Sequence, residues 1–296
     1  MSGTSSSPLP ASIELPRLKA AMPSAFRAPF AMRLRRALLW TGFVLVFAWC
    51  LYDFGFSPTR IIEGLGRLGT VLSFMFPPHF WTEWQPLSDV LRGLAETLAM
   101  AFLGTLLGAA IALPLSFLGA KNINRLPFLR FGVRRGFDVI RAFETLVLAL
   151  IFIRAFGLGP LAGVLAIAVG EIGVLGKLYA EAIENTSKKP VEGVMASGGS
   201  RLQSIHFGIM PQALPVILSI TLYNFESNVR SGTILGIVGA GGIGFLLSDR
   251  IRAYRWDEAW SIVILIIVMV YIIDWLSAMI RTRIIKGADA RKVVVA

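Results

Sequence analysis

Six stretches of this chain are apolar for about twenty residues at a time, separated by shorter polar segments. They cover residues 37–56, 93–118, 137–157, 161–181, 212–238 and 260–280. Each is near the ~20 residues that a helix needs to cross hydrocarbon. The runs are continuous, whereas a membrane barrel requires short strands of roughly 10 alternating residues. In lipid the helix then satisfies every backbone group. The pattern predicts an all-α integral membrane protein with six transmembrane helices. Glu171 and Lys177 interrupt the fourth run.

The segments between the runs complete the expected organisation. Residues 1–36 are rich in Ser, Pro and Ala with scattered basic residues, which predicts a disordered tail. The first apolar run follows Arg33, Arg35 and Arg36 and is long enough to span, so it reads as a helix that stays, not as a signal peptide. Residues 57–92 form an outer loop whose Pro77, Pro78, Trp81 and Trp84 suit the headgroup layer. A core of membrane helices follows over 93–281, with an inner loop at 185–211 and a short tail over 282–296.

Composition agrees with this. Hydrophobic residues make up 55% of the chain and charged residues 16%, against roughly 25% charged in soluble domains. The net charge of +11 would suggest nucleic acid in a soluble protein. Here the basic residues flank the apolar runs instead, where they meet lipid headgroups and set orientation. Lys121, Arg125, Arg130, Arg134, Arg135, Lys188, Lys189, Arg201, Arg281 and Arg283 fall on one side together with the arginines of the tail, and far fewer fall on the other. The rich side is the cytoplasm. Both termini and the 185–211 loop are therefore expected inside a bacterial cytoplasmic membrane. The single cysteine, Cys50, excludes an intrachain disulfide, and no His/Cys cluster suggests a metal site.

The inner loop holds the most informative motif. Glu192, Gly198 and Pro211 stand at the spacing Glu, six residues to Gly, thirteen to Pro, with Gly199 beside the first glycine. Gly198 and Gly199 permit a tight turn, Glu192 can anchor a first short helix, residues 200–207 can form a second, and Pro211 opens the next span. This resembles the cytoplasmic loop of ABC-importer permeases, although Gly193 and Val194 stand where that family has alanines. The resemblance continues through Pro211–Pro215, Tyr223–Arg230, Gly236–Gly244, Glu96–Met100 and Pro114–Phe117. Over about residues 90–280 the chain is similar to the phosphonate-importer permeases of the type I ABC family. The resemblance implies that fold, with a coupling helix at Glu192, Gly198, Gly199 and Pro211. It also implies two ABC ATPase subunits that bind ATP and Mg, a periplasmic or lipid-anchored substrate-binding protein, and a second copy of the chain. No cofactor is expected in the chain itself.

Polar residues inside the runs are the remaining candidates, because charge at membrane depth costs at least ~2.5 kcal/mol per group. Glu226 and Arg230 share one helical face at i, i+4, and Asn224 and Asn228 form an adjacent stripe. Two readings stand: a face lining the translocation path, with Arg230 meeting an oxyanion, or an ion pair that seals a dimer. Arg141, Glu144, Arg154, Glu171, Lys177 and Asp274 are expected to be structural or interfacial.

Gly239, Gly241, Gly242 and Gly244 satisfy a G-x-G-x-x-G pattern. The tract ends a membrane span with no preceding strand, so a dinucleotide site is rejected. Close helix packing, a hinge or a gate is the expectation.

These observations predict a transport subunit without catalytic residues, moving phosphonate, phosphate or phosphite by alternating access. A methionine or glycine betaine importer is the alternative within the family. A channel or secondary carrier would not need the inner loop, and an intramembrane enzyme lacks its residues. His79 lies outside, His206 lies in the loop, and Asp274 has no second intramembrane aspartate.

Overall fold

The structure, a computed structural model, describes residues 30–295. Of the tail expected over residues 1–36, residues 1–29 lie outside it, and residues 30–36 are helical instead of disordered. The chain divides into two compact units, one up to Thr70 and one from Val71.

In the first unit, helix α1 spans Phe30–Asp53 and has no buried residue. It begins before the expected residue 37, because Met32, Leu34 and the flanking arginines all favour helix. Helix α2, Pro58–Met75, occupies the first half of what reads in sequence as an outer loop. Its Ile61, Leu65, Leu68 and Leu72 recur at three- and four-residue spacing, so it is amphipathic.

The second unit begins with α3, Trp84–Gly119. Then come α4, Pro127–Arg141, α5, Thr145–Phe156, α6, Pro160–Glu184, and α7, Lys188–Ala196. The one-turn α8, Arg201–Gln203, runs through π-helical Ser204–Ile209 into α9, Met210–Leu235. A second π segment, Gly236–Ala240, precedes α10, Gly242–Arg252. Helix α11, Trp256–Val295, continues through the expected tail at 282–296. No strand occurs among the described residues.

Among the described residues, five helices are long and apolar enough to cross a membrane: Phe30–Asp53, Trp84–Gly119, Pro160–Glu184, Arg201–Ala240 and Trp256–Ile284. The expected third span at 137–157 is not one helix. It breaks at residues 142–144 into amphipathic α4 and apolar α5. Arg130, Arg134, Asp138 and Arg141 fall at i, i+4, i+8 and i+11 along α4, a polar stripe that hydrocarbon would not accept. The 12 residues of α5 extend only about 18 Å, so the chain crosses a ~30 Å hydrocarbon core here only with α4 and α5 in series. Together they run from the end that α3 and α6 share, where Arg134 meets Glu184, to the glycine turn, where Gly159 N–H meets Gly239 O.

The core is built on α3 and α6, which pack closely because small residues line their contact. A Cβ at Gly104 would lie 2.6 Å from Ile167 Cβ, and one at Gly108 would lie 2.5 Å from Glu171 Cβ. Ala112 and Ser116 continue this stripe, both fully buried. Without a hydrophobic drive between helices in lipid, such close packing is the main source of association. The other face of α6 carries Gly173 and Gly176, against which the end of α4 and the Phe137 ring are seated. These two faces make α6 the central helix of the unit.

One buried polar group sits in this seam. Glu171 is 7% exposed, and its Oε1 accepts from Asn228 Nδ2 at 2.8 Å. The same amide donates to Thr105 Oγ1 at 3.0 Å. Three spanning helices are thus joined by hydrogen bonds through one asparagine side chain.

Two outcomes follow from this packing. Gly108→Ala is expected to destabilise the fold by about 1–3 kcal/mol, the usual penalty for overpacking. Gly132→Ala, on α4 with nothing within 4 Å of the added carbon, is expected to be neutral or slightly stabilising. Thermal unfolding of the two purified variants in one detergent checks both; equal midpoints would contradict the close seam.

Candidate functional site

The loop singled out in the sequence forms a compact hairpin at one end of the bundle. Helix α7 has no buried residue, so it stands out from the core. It stops where Gly198 adopts φ +82, a conformation that a side chain disfavours. The Ser197, Gly198 and Gly199 N–H groups then donate to Gly193 O, Met195 O and Val194 O. Gly199 has a different role, since a Cβ there would lie 2.7 Å from Val194 O. Ser200 starts the return helix with a capping box: Gln203 Oε1 accepts from Ser200 N–H at 2.7 Å, and Gln203 N–H donates to Ser200 Oγ at 3.4 Å.

The sequence reading placed Glu192 as an anchor near the start of this helix. Helix α7 starts four residues earlier, at Lys188, so Glu192 is one turn inside, exposed, and caps nothing. It also makes no ion pair among the described residues. The expected second short helix does not end at Pro211. It passes through π-helical Ser204–Ile209 into α9 without a break. Proline lacks the N–H that would bond the carbonyl four residues back, and a π turn is a common way to absorb such a defect.

Gln212 is the residue that sequence reasoning missed. Its Oε1 accepts from Ser187 N–H at 3.0 Å, and its Nε2 donates to Ser187 O at 3.2 Å and Gly208 O at 2.6 Å. One side chain therefore ties the start of α7 to the start of α9. The available signal was an amide beside Pro211 in the first turn of a span. Within the hairpin, Gly208 lets the return strand of the turn sit 3.0 Å, by its would-be Cβ, from Val191 Cα. Outward, Met195, Leu202 and Phe207 are exposed, Leu202 by 78%.

The glycine tract lies at the far end of α9. Gly239, Gly241 and Gly242 have φ of 110, 81 and 70, which reverses the chain direction into α10. Gly244 is needed for approach, since a Cβ there would clash with Thr233 O. The turn is held from three sides. Gly159 N–H donates to Gly239 O at 3.1 Å, Gly242 N–H to Glu96 Oε2 at 3.3 Å, and Ile243 N–H to Thr97 Oγ1 at 2.9 Å. Glu96 and Thr97 thus cap α10 from another helix, with the carboxylate at its positive end.

The polar residues of α9 do not share one destination. Asn224 and Asn228 turn into the bundle and are buried. Asn224 donates to Ile220 O of its own helix, and Asn228 joins Thr105 and Glu171. Glu226 and Arg230 turn toward α11. They are 3.7 Å apart, but each has a nearer partner. Arg281 Nη2 donates to Glu226 Oε2 at 3.0 Å, and Arg230 Nη1 lies 3.2 Å from both Asp274 oxygens. Asp274 and Arg281 are seven residues apart and so share a face of α11. The Glu226 side chain is 15% exposed and that of Arg230 45%.

Comparison with known proteins fits this geometry. Residues 104–286 match the family described as binding-protein-dependent transport system inner membrane component. The phosphate-import permease protein PhnE of Mycolicibacterium smegmatis is 41% identical over 73% of this chain, which spans only 40% of that protein's length. The putative phosphite transport system permease protein HtxC of Stutzerimonas stutzeri is 36% identical over 80% of this chain and 82% of its own. PtxC, a phosphite transport system permease protein of the same organism, is 34% identical over 81% and 85%. Among solved structures, the MetNI methionine ABC transporter in an inward-facing conformation aligns with TM-score 0.61 at 21% identity, over 68% of this chain and 99% of that one. This likeness shows a shared helical fold. With five long apolar helices, a protruding α7 and a family match covering most of the second unit, the chain belongs to the binding-protein-dependent transport system inner membrane components.

Proposed function

We propose that this chain is the membrane subunit of an ATP-driven importer for a phosphorus oxyanion: phosphonate, phosphite or phosphate. The observation that carries the coupling part is α7, an exposed helix with an unpaired Glu192, clamped at its base by Gln212. The names of the relatives, two of them at 34–36% identity over more than four fifths of their length, support the solute. Two ATPase subunits carrying ATP and Mg would dock on α7 of two copies of the chain, with both termini on that cytoplasmic side. A substrate-binding protein would deliver solute to the opposite face.

The mechanism follows from continuity. From Arg201 to Val238 the chain stays helical through the π segment at its start, a lever of about 57 Å at 1.5 Å per residue. It ends where Gly239 leaves helical geometry. The coupling hairpin is at one end and the glycine turn at the other. Displacing α7 on ATP binding would move this lever through the Gln212 clamp and rock the bundle about α6. Within α9, Arg230 is the one cationic side chain and is 45% exposed, suited to an oxyanion. Asp274 would hold it between passages, while Asn228 keeps the lever in register with α3 and α6.

Two measurements test this. In proteoliposomes with the ATPase and binding protein, Glu192→Ala combined with Met195→Asp should lower ATP-dependent uptake at least ~10-fold, a loss typical of an interface hot spot. Its unfolding midpoint should be unchanged, because both positions are exposed; full uptake would remove α7 as the docking element. Arg230→Ala should likewise cost at least ~10-fold in uptake, whereas Asp274→Asn should stay within about threefold. Equal losses in the two would identify the pair as a structural strut instead.

A further inference from the structure

A second feature of the same end of the bundle is a cavity of about 630 Å3 between α4 and α6, lined by Arg130, Phe131, Arg134, Arg135, Asp138 and Lys177. Four cations face it and one carboxylate. Asp138 accepts from Lys177 Nζ at 2.8 Å and Arg135 Nη1 at 3.1 Å. The Lys177 hydrogen bond, with Arg135 and Arg141 nearby, holds this carboxyl below its usual range. Arg134 is fixed to the end of α3 and α6, donating to Gly119 O at 2.9 Å and lying 2.8 Å from Glu184. Arg130 is half-buried and has no ion pair or side-chain hydrogen bond among the described residues. Positive charge is therefore in excess, and one guanidinium is unclaimed.

The surroundings identify the source of a matching anion. On α4 next to these cations, Phe128 is 90% exposed and Phe131 60%, and Arg135 stacks 5.2 Å from the Phe131 ring centre. Arginines interleaved with bare aromatics on the outer surface of one helix suit the headgroup layer of a membrane. Lys121 N–H donates to Glu184, and Asn122 Nδ2 donates to Ile183 O. The cavity thus lies at the end of α6 from which α7 departs.

We propose that this cavity binds the phosphodiester of an anionic phospholipid, with Arg130 and Arg135 as its principal contacts and the acyl chains along Phe128. Basic recesses between spanning helices favour such headgroups, and guanidinium groups can bind phosphate in a bidentate way. A free phosphate would use the cations and leave the aromatics bare. The inference rests on the chain residing in a membrane, not on which solute it carries. Loss of the transport reading would leave it standing.

The test is native mass spectrometry of the purified full-length chain after addition of phosphatidylglycerol or of phosphatidylcholine with the same acyl chains. Wild type should retain phosphatidylglycerol preferentially. Retention should fall about fivefold for each arginine removed in Arg130→Gln and in the Arg130→Gln/Arg135→Gln double variant. Lys121→Gln/Arg125→Gln, equal in charge change but outside the cavity lining, should retain it like wild type. Arg130→Gln alone guards against misfolding, since that side chain supports nothing else. Equal retention of the two lipids, equal loss in the Lys121/Arg125 control, or displacement by millimolar inorganic phosphate would each overturn the proposal. The last would mark a site for free oxyanion.

Discussion

A peptide group that loses its helical partner inside hydrocarbon has no water to turn to. Three departures from regular helix in this chain carry compensating donors or acceptors. Where α9 ends at the glycine turn, Glu96 and Thr97 accept from the first N–H groups of α10, and Gly239 O accepts from Gly159. Where α4 gives way to α5, the Ala142 and Phe143 N–H groups still reach Asp138 O and Ile140 O. At the base of α7, Gln212 satisfies both polar groups of Ser187. At the glycine turn and the base of α7 these bonds reach other helices, so movement at either place is passed to a neighbour.

This bears on how a push could travel. Helix α6 contacts α3 through a seam of small residues and receives the α4–α5 break on its other side. Glycine and alanine contacts bring backbones close and leave few rotamers to absorb a displacement. The core of the second unit is thus suited to tilt as a body. The compliant places are the π segments at Ser204–Ile209 and Gly236–Ala240, which bracket α9 and are the kind of insertion found at functional positions.

The long-range composition of the sequence made the membrane class and five of the apolar helices legible, because each of those runs is long and mostly apolar. The third run misled for a physical reason. Leu146–Phe156 is as apolar as any span, and the run was extended backward across Phe137–Ile140. What stops the helix there is the polar stripe of α4 and its seating on Gly173 and Gly176, contacts made with a segment more than thirty residues away. The loop motif was legible at Gly198 and Gly199, whose constraints are local. It was not at Glu192, whose helix starts earlier than the motif suggests. Gln212 and Glu96 were invisible in the same way: an amide or a carboxylate near a helix end is common, and only the fold shows whose N–H it meets.

The charges between α9 and α11 show what separates a sealed ion pair from a usable one. Glu226 and Asp274 supply two negative charges, Arg230 and Arg281 two positive, so the group is neutral as a set. Glu226 is held by Arg281 at 3.0 Å and is nearly covered, which fixes that end. Arg230 is held by Asp274 through a single nitrogen, and both side chains are well exposed. Breaking a fully buried pair strands a charge at a cost of several kcal/mol. Breaking this one need not, because Glu226 lies 3.7 Å away to keep Arg230 company and Asp274 can turn outward. Under the proposed function, an oxyanion reaching Arg230 would have only to replace what Asp274 provides. An arginine flanked by two carboxylates, one anchored and one free, can therefore change partners without leaving a bare charge in the membrane.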